Sequence, residues 1–290
     1  IKVPQSQPES SESFNIRNIQ DVLDGKDMVH DLHRHEYYFV LVLQKGNGIH
    51  TIDFNPYKVN DHSIFFIRPG QVHELTLQVG SKGFLMEFKN DFYYPADKAS
   101  RQLLRNASSL NQYEMDVHSF KKAFDLLTSV FVEFGEKKTG YQEVIKANLS
   151  IFFIELMRHH KEKTSTSSLP INQYTQEQLD KLVELIETHI SSHKEVSQYA
   201  DMMHLSVYQL NAITKATLGK TCSELINEHI ILEAKRYLLA TSNQVNQIAF
   251  HLGYEDVSYF IRFFKKHTGF TPETFRHNFK YIQFNFIFVL

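Results

Sequence analysis

The chain has 290 residues, of which 42% are apolar, 13% aromatic and 22% charged, with 31 Lys and Arg against 33 Asp and Glu. This mix excludes a disordered chain, and the length suggests two domains. The single cysteine, Cys222, excludes an intramolecular disulfide scaffold. The first residues lack a basic-then-apolar leader and no apolar run approaches the roughly 20 residues of a bilayer span, so a soluble cytoplasmic protein without membrane contact is expected. The formal net charge of −2 weighs against nucleic-acid binding, which normally needs a basic face.

The first ~100 residues carry strand signals. Tyr37–Leu43 is an aromatic and β-branched run ending at the turn Gln44 to Gly48, Ile49–Phe54 alternates up to Asn55-Pro56, and Ser63–Ile67 breaks at Arg68-Pro69-Gly70. Glu74–Val79 and Phe84–Phe88 continue the series. Short strands separated by turn chemistry predict a small all-β barrel. From about Ala96 the period becomes 3.6. Phe120, Phe124, Leu127, Val130, Phe131 and Phe134 share one helical face, and Val144–Arg158 forms a second amphipathic helix. Their surplus of apolar surface predicts homodimerisation through helices in 115–158.

The polar stretch His159–Pro170 is the best linker candidate. It divides the chain into a domain at 1–162, a linker at 163–174, a helical domain at 175–280 and an apolar, β-prone tail at 281–290. Seven helices are predicted, at about Gln176–Ser191, Val196–Met203, Ser206–Leu218, Cys222–Leu239, Val245–His251, Ser258–His267 and Thr271–Asn278.

An internal repeat at an offset of 50 runs through this half. Ser206–Thr221 laid over Asp256–Thr271 pairs Leu210 with Phe260, Ile213 with Phe263, Lys215 with Lys265, Gly219 with Gly269 and Thr221 with Thr271. Each copy follows a short helix holding a small residue, Ala200 or Ala249, and a tight turn. That is the pattern of a helix-turn-helix, whose second helix enters the DNA major groove. The intervening helix spans about 27 Å at 1.5 Å per residue, long enough to set two recognition helices about one turn of DNA apart. Arg262 is the candidate for a bidentate guanine contact, with Ser258 and Ile261 beside it and Lys265 and Lys266 toward phosphate. In the first copy Tyr208, Gln209, Asn211 and Lys215 take the outward positions, while Ala212 stands where the second copy has Arg262.

The stretch from Ile226 to Arg276, with Ile248-Ala249, Leu252-Gly253-Tyr254, Ser258-Tyr259-Phe260, Arg262 to Lys266, Thr268-Gly269 and Pro272, resembles the signature region of AraC-family transcription regulators. The likeness extends back to about Thr175. It implies a DNA-binding unit that reads two successive major-groove segments of double-stranded DNA, an effector-binding or dimerising N-terminal domain without catalysis, and RNA polymerase as a further partner. His229 stands where relatives often carry Arg.

His33-Arg34-His35 and Pro69 to His73 resemble the two halves of the cupin pattern. The pattern's glutamate position falls on Phe39 or Val40, and Glu36, adjacent to His35, points to the other face of a strand. His33, His35, Tyr37, Phe39 and His73 are therefore expected to line a ligand mouth, with no resident cofactor. A three-histidine metal site at His33, His35 and His73 is the alternative, and with it a metal-dependent cupin oxygenase or isomerase carrying an accessory helical domain. The expected architecture is a multidomain α and β chain: a cupin-like β-barrel with a flanking helix pair, then an all-α domain of seven helices with two helix-turn-helix units. The preferred function is a sequence-specific DNA-binding transcription regulator that responds to a small-molecule effector.

The charge objection sharpens when it is localised. Ile171–Leu290 holds 11 Lys and Arg against 12 Asp and Glu, yet between Arg262 and Lys280 five bases, Arg262, Lys265, Lys266, Arg276 and Lys280, face one acid, Glu273.

Overall fold

The computed structural model describes residues 13–93, 98–165 and 173–286, with side chains over 13–93, 102–159 and 174–279. The chain divides into two compact units, Ile1–Ser167 and Ser168–Leu290. The stretch expected as a linker, 163–174, lies largely outside the described residues.

In the first unit, strand β1 (Phe14–Asn18) leads into a one-turn helix α1 (Ile19–Leu23). Next come β2 (Met28–Arg34), β3 (Tyr38–Lys45), β4 (Gly48–Ile52), β5 (Asn55–Val59), β6 (Ser63–Ile67), β7 (Val72–Leu77) and β8 (Lys82–Phe88). Helix α2 (Lys98–Ala107), the short β9 (Gln112–Glu114), α3 (Val117–Glu136) and α4 (Tyr141–Ser165) complete it. The expected barrel takes the form of two antiparallel sheets, a five-stranded one in the order β1-β8-β3-β6-β9 and a four-stranded one in the order β2-β7-β4-β5.

Strands β3 and β6 read as unbroken apolar runs because their sheet is covered on both faces. Alternate residues divide between two cores. Phe39, Leu41, Leu43, Phe65 and Ile67 point between the sheets, where they meet Ile52, Val59, Leu75 and Leu77. Val40, Val42, Ile64 and Phe66 point outward against Phe120, Leu127 and Val130 of α3 and Leu149, Phe152, Phe153 and Leu156 of α4. The apolar surplus of the helix pair, which suggested a dimer surface, is thus spent largely inside this chain. On the outer face of the pair Val132, Val144 and Ile151 remain exposed.

The second unit is all helical: α5 (Gln173–His189), α6 (Val196–Met203), α7 (Val207–Leu218), α8 (Cys222–Ala240), α9 (Val245–His251), α10 (Val257–Thr268) and α11 (Pro272–Phe286). Local chemistry fixes the ends. Ser206 with Gln209 and Thr221 with Glu224 form capping boxes, Asp256 caps α10, and Gly219 and Gly269 end their helices in the left-handed conformation at φ 71° and 82°. The core gathers Leu182, Ile186, Tyr199, Leu210, Cys222, Ile226, Ala234, Ile248, Phe260 and Phe264 around α8. The tail read as β-prone continues α11 instead: a helix nucleated at Pro272 runs to Phe286. Residues 287–290 lie outside the described residues.

Candidate functional site

The two helix-turn-helix units are built alike. In the first, Ala200 and Met203 of α6 are buried, His204 adopts a left-handed conformation at φ 54°, and Leu205 N–H donates to Ala200 O at 2.9 Å. In the second, Ala249 is buried, Gly253 sits at φ 71°, and Tyr254 N–H donates to Ala249 O at 2.8 Å. Both turns use one six-residue loop of hydrogen bonding over a small residue, which lets the recognition helix cross its partner closely. Glycine is required in the second turn, because a Cβ on Gly253 would lie 1.7 Å from Ser191 O. Lys194 fastens the same junction: its Nζ donates to Gly253 O at 3.0 Å and lies 4.9 Å above the Tyr254 ring.

The offset of 50 also superposes the exposed faces of α7 and α10. Tyr208 matches Ser258, Gln209 matches Tyr259, Ala212 matches Arg262, Lys215 matches Lys265 and Ala216 matches Lys266, and all ten are exposed. Arg262 is held only loosely, 3.9 Å from Asp256, with its side chain 70% exposed. Tyr259, not singled out from the sequence, stands on this face beside Arg262; the repeat itself carried the signal, through its pairing with Gln209.

Three of the expected contact residues are engaged within the chain. Asn211 and Ile261, equivalent in the repeat, are both half-buried. The Asn211 amide donates to Val207 O at 3.1 Å and accepts from Cys222 N–H at 3.0 Å, so it ties α7 to the start of α8. Ile261 packs on the helical core. Gln209 is exposed, but its Oε1 accepts from Ser206 N–H at 2.8 Å, so its amide is engaged as a cap. Arg276, counted in the basic strip, is likewise spent: its Nε donates to Leu238 O at 2.9 Å and its guanidinium to Asn243 O, which closes the C-terminal end of α8. His229 is half-buried with Nδ1 donating to Leu225 O at 2.9 Å.

In the first unit the expected mouth residues do come together. Gly70 N–H donates to His35 O at 3.0 Å, and the β2–β7 register sets His33 opposite His73. A one-residue bulge in β2 between His30 and His33 shifts the register, so that His33 and His35 share the face of His73. The His33 and His73 ring centroids are 4.4 Å apart, Tyr37 stacks on His35 at 4.1 Å, and the buried Phe39 ring lies 4.9 Å from His73. Glu36 is exposed and pairs with Arg34 at 3.3 Å, outside the cluster. His50 of β4, overlooked in the sequence, is fully buried against His73; its place two residues before the inward Ile52 in an alternating strand was the available signal.

The hydrogen bonds fix the tautomers. A carbonyl can only accept, so His35 Nδ1–H donates to Tyr37 O at 2.9 Å and leaves Nε2 bare. His73 Nε2–H then donates to His35 Nε2 at 3.0 Å, and His50 Nε2–H donates to His73 Nδ1 at 2.9 Å. His50 Nδ1 ends this relay buried and without a partner. His33 Nδ1–H donates to Asp31 O at 2.7 Å, so its Nε2 is bare as well. Burial holds the relay neutral, pushing His35 down to about 4, His50 to about 3 and His73 well below the ordinary 6.5.

Two family descriptions match this chain, "AraC-like ligand binding domain" over residues 23–148 and "Helix-turn-helix domain" over residues 199–278. The HTH-type transcriptional activator RhaS of Escherichia fergusonii is 24% identical over 249 residues, covering 84% of this chain and 86% of that protein. The activator RhaR of Yersinia pestis is 21% identical over 265 residues, covering 85% and 84%. A structure of unsaturated fatty acid bound wild-type ToxT from Vibrio cholerae aligns over 93% of this chain and 97% of its own, at 17% identity and a TM-score of 0.43. With a sandwich that matches the AraC-like description followed by a doubled helix-turn-helix, and with relatives aligned over most of its length, the chain belongs to the AraC family of transcription regulators.

Proposed function

We propose that this protein is a sequence-specific DNA-binding regulator of transcription that reads two successive major-groove segments with α7 and α10, and that a ligand taken at the histidine mouth of the sandwich controls it. The observation that carries this reading is the repeated exposed face, in which positions 208, 209, 212, 215 and 216 recur as 258, 259, 262, 265 and 266. A surface repeated at that spacing, about 28 Å along the 19-residue α8, suits two turns of one duplex. Relatives named as activators favour a regulator over a cupin enzyme. Among the described residues no helix is long and apolar enough to cross a membrane, which agrees with work in the cytoplasm on double-stranded DNA. Pairing of two copies through the outer face of α3 and α4, and contact with RNA polymerase, are further proposals of the same reading.

Arg262 is the side chain on that face best suited to a bidentate contact with guanine. Sequences selected from a random DNA pool by the full chain are expected to share a two-part site, and Arg262→Ala should weaken the selected site by ~1–3 kcal/mol while relaxing selectivity at one base position. Unchanged affinity and unchanged selectivity in that variant would refute the placement of α10.

A further inference from the structure

We propose that Lys194 is a positioning residue that holds the second recognition helix in a fixed place relative to the first, and that it thereby sets the number of base pairs between the two segments the chain reads. Lys194 lies in the connection between α5 and α6, immediately before the first helix-turn-helix. Its main chain is tied to that unit. Lys194 N–H and Glu195 N–H both donate to Gln198 Oε1 at 2.9 Å, and the OH of the buried Tyr199 donates to His193 O at 2.8 Å. Residues 193–195 are thus fastened to the first turn of α6. The side chain of Lys194 is tied to the other unit. Its Nζ donates to Gly253 O at 3.0 Å, in the turn between α9 and α10, and to Ser191 O at 3.3 Å.

The junction calls for a cation. Ser191 O and Gly253 O lie just past the C-terminal ends of α5 and α9, where carbonyls lack helical partners and the helix dipoles are negative. Two such ends brought together repel, and an ammonium between them offsets the repulsion while donating to both acceptors. The ammonium also lies 4.9 Å above the ring of the buried Tyr254. That ring in turn meets Phe260, in the core under α10, at 5.3 Å and Tyr259, on the exposed repeated face, at 5.9 Å. A shift at Lys194 therefore reaches the recognition face through one ring. Lys194 is half-buried, desolvation lowers its pKa, and two of its three donors are spent on carbonyls, so it serves the junction rather than a phosphate. The 19-residue α8 joins the two units, and the Lys194 junction is an attachment beside it. One attachment leaves a hinge, whereas two define an orientation.

This assignment rests on the reading of two successive segments given above. The test compares the duplex that the full chain selects from random DNA with the same duplex carrying one extra base pair between its two parts. That insertion moves the second part by about 3.4 Å and rotates it by about 35°. Both affinities are measured on one preparation, so any loss of folded protein lowers both and cancels in their ratio. The wild-type chain is expected to favour the selected spacing at least about tenfold. Lys194→Met should bring the ratio below about threefold, and the milder Lys194→Gln should lower it at least about twofold. Lys194→Arg, which keeps a charged donor and the ring contact, should hold it near the wild-type value. Lys181→Met, which removes an exposed lysine of α5, should leave the ratio unchanged. A wild-type chain indifferent to the insertion, equal ratios in wild type and Lys194→Met, no rescue by Lys194→Arg, or an equal fall in Lys181→Met would each overturn the assignment while leaving the two-segment reading in place. A wild-type selection that returns no two-part site would refute that reading, and the assignment with it.

Discussion

Gly253 and Gly269 hold the same left-handed conformation, at φ 71° and 82°, but differ in what surrounds them, and this separates two costs usually merged. Placing alanine at either position costs about 1 kcal/mol for the left-handed backbone. At Gly269 nothing lies within 4 Å of the added Cβ, so the cost ends there. At Gly253 the Cβ would lie 1.7 Å from Ser191 O and 2.8 Å from Lys194 Nζ, so the α5–α6 connection must retreat by more than about 1 Å. That retreat breaks the Lys194–Gly253 hydrogen bond and the Lys194–Tyr254 ring contact, worth about 1.5–3 kcal/mol as a charged donor on a carbonyl. Gly253→Ala should therefore cost about 2.5–4 kcal/mol against about 1 for Gly269→Ala. Urea denaturation followed by helical circular dichroism measures both, and binding to the selected DNA should fall with Gly253→Ala, because the turn sets the angle of α10. Indistinguishable denaturation midpoints for the two variants would show that the Ser191 contact does not constrain the second unit.

Arg276→Met should destabilise the helical unit by about 2–3 kcal/mol in the same denaturation, since it leaves Leu238 O and Asn243 O without their charged donor. Arg276→Lys should recover little of this, because a point donor does not span two carbonyls, and full recovery would contradict the forked geometry. In metal-free protein the sandwich should lose stability in acid. Unfolded imidazoles take up protons below about 6.5, while burial keeps His35 neutral down to about 4 and His50 to about 3, so the unfolded chain binds more protons in that window. Stability is then complete above pH 6.5 and falls toward pH 4, by ~2 kcal/mol per histidine at pH 5, with His73 acting in the same direction. Peptide-level hydrogen exchange in β2, β4 and β7, corrected for intrinsic rates, reads this directly, and equal opening free energies at pH 7.5 and pH 5 would contradict it.

The helical unit was more legible than the sandwich, for physical reasons visible in single residues. Helix ends are set by neighbours in sequence: Thr221 with Glu224, Gly219 and Gly269 announce their caps within one turn, so the expected helices fall within a few residues of α5 to α10, whereas α11, with no such stop signal, runs eight residues past its expected end. Strand edges depend on distant partners. Phe14–Asn18 becomes β1 only because it pairs with Phe84–Phe88, some 70 residues away, and the polar Asn55–Val59 becomes β5 by pairing with β4. The same division applies to the sites. His33, His35 and His73 were found because two short motifs flag them, whereas His50 enters through sheet register. At Asn211 the sequence shows a polar residue on a helix and hides its acceptor role toward Cys222 N–H eleven residues later.

The placement of charge now bears on how the two recognition helices divide the work. With Arg276 committed to α8, the cations on the repeated face are Lys215 on α7 and Arg262, Lys265 and Lys266 on α10, all exposed. Non-specific affinity grows with the number of phosphates neutralised, so a face with this few cations holds DNA weakly unless base contacts or a second copy add to it. The two helices do not contribute equally. On α7 the central position is Ala212 and Gln209 is engaged by Ser206, which leaves the 82% exposed Tyr208 as the prominent side chain, suited to apolar and shape contacts. On α10 Tyr259 and Arg262 are exposed, and on the proposed reading they are the side chains placed for base edges. On the proposed reading, a nearly neutral unit with one stronger and one weaker reader depends on both helices meeting the duplex in register. On that reading the Gly253 turn and the Arg276 cap, which fasten the helices to one another, are residues on which that register rests.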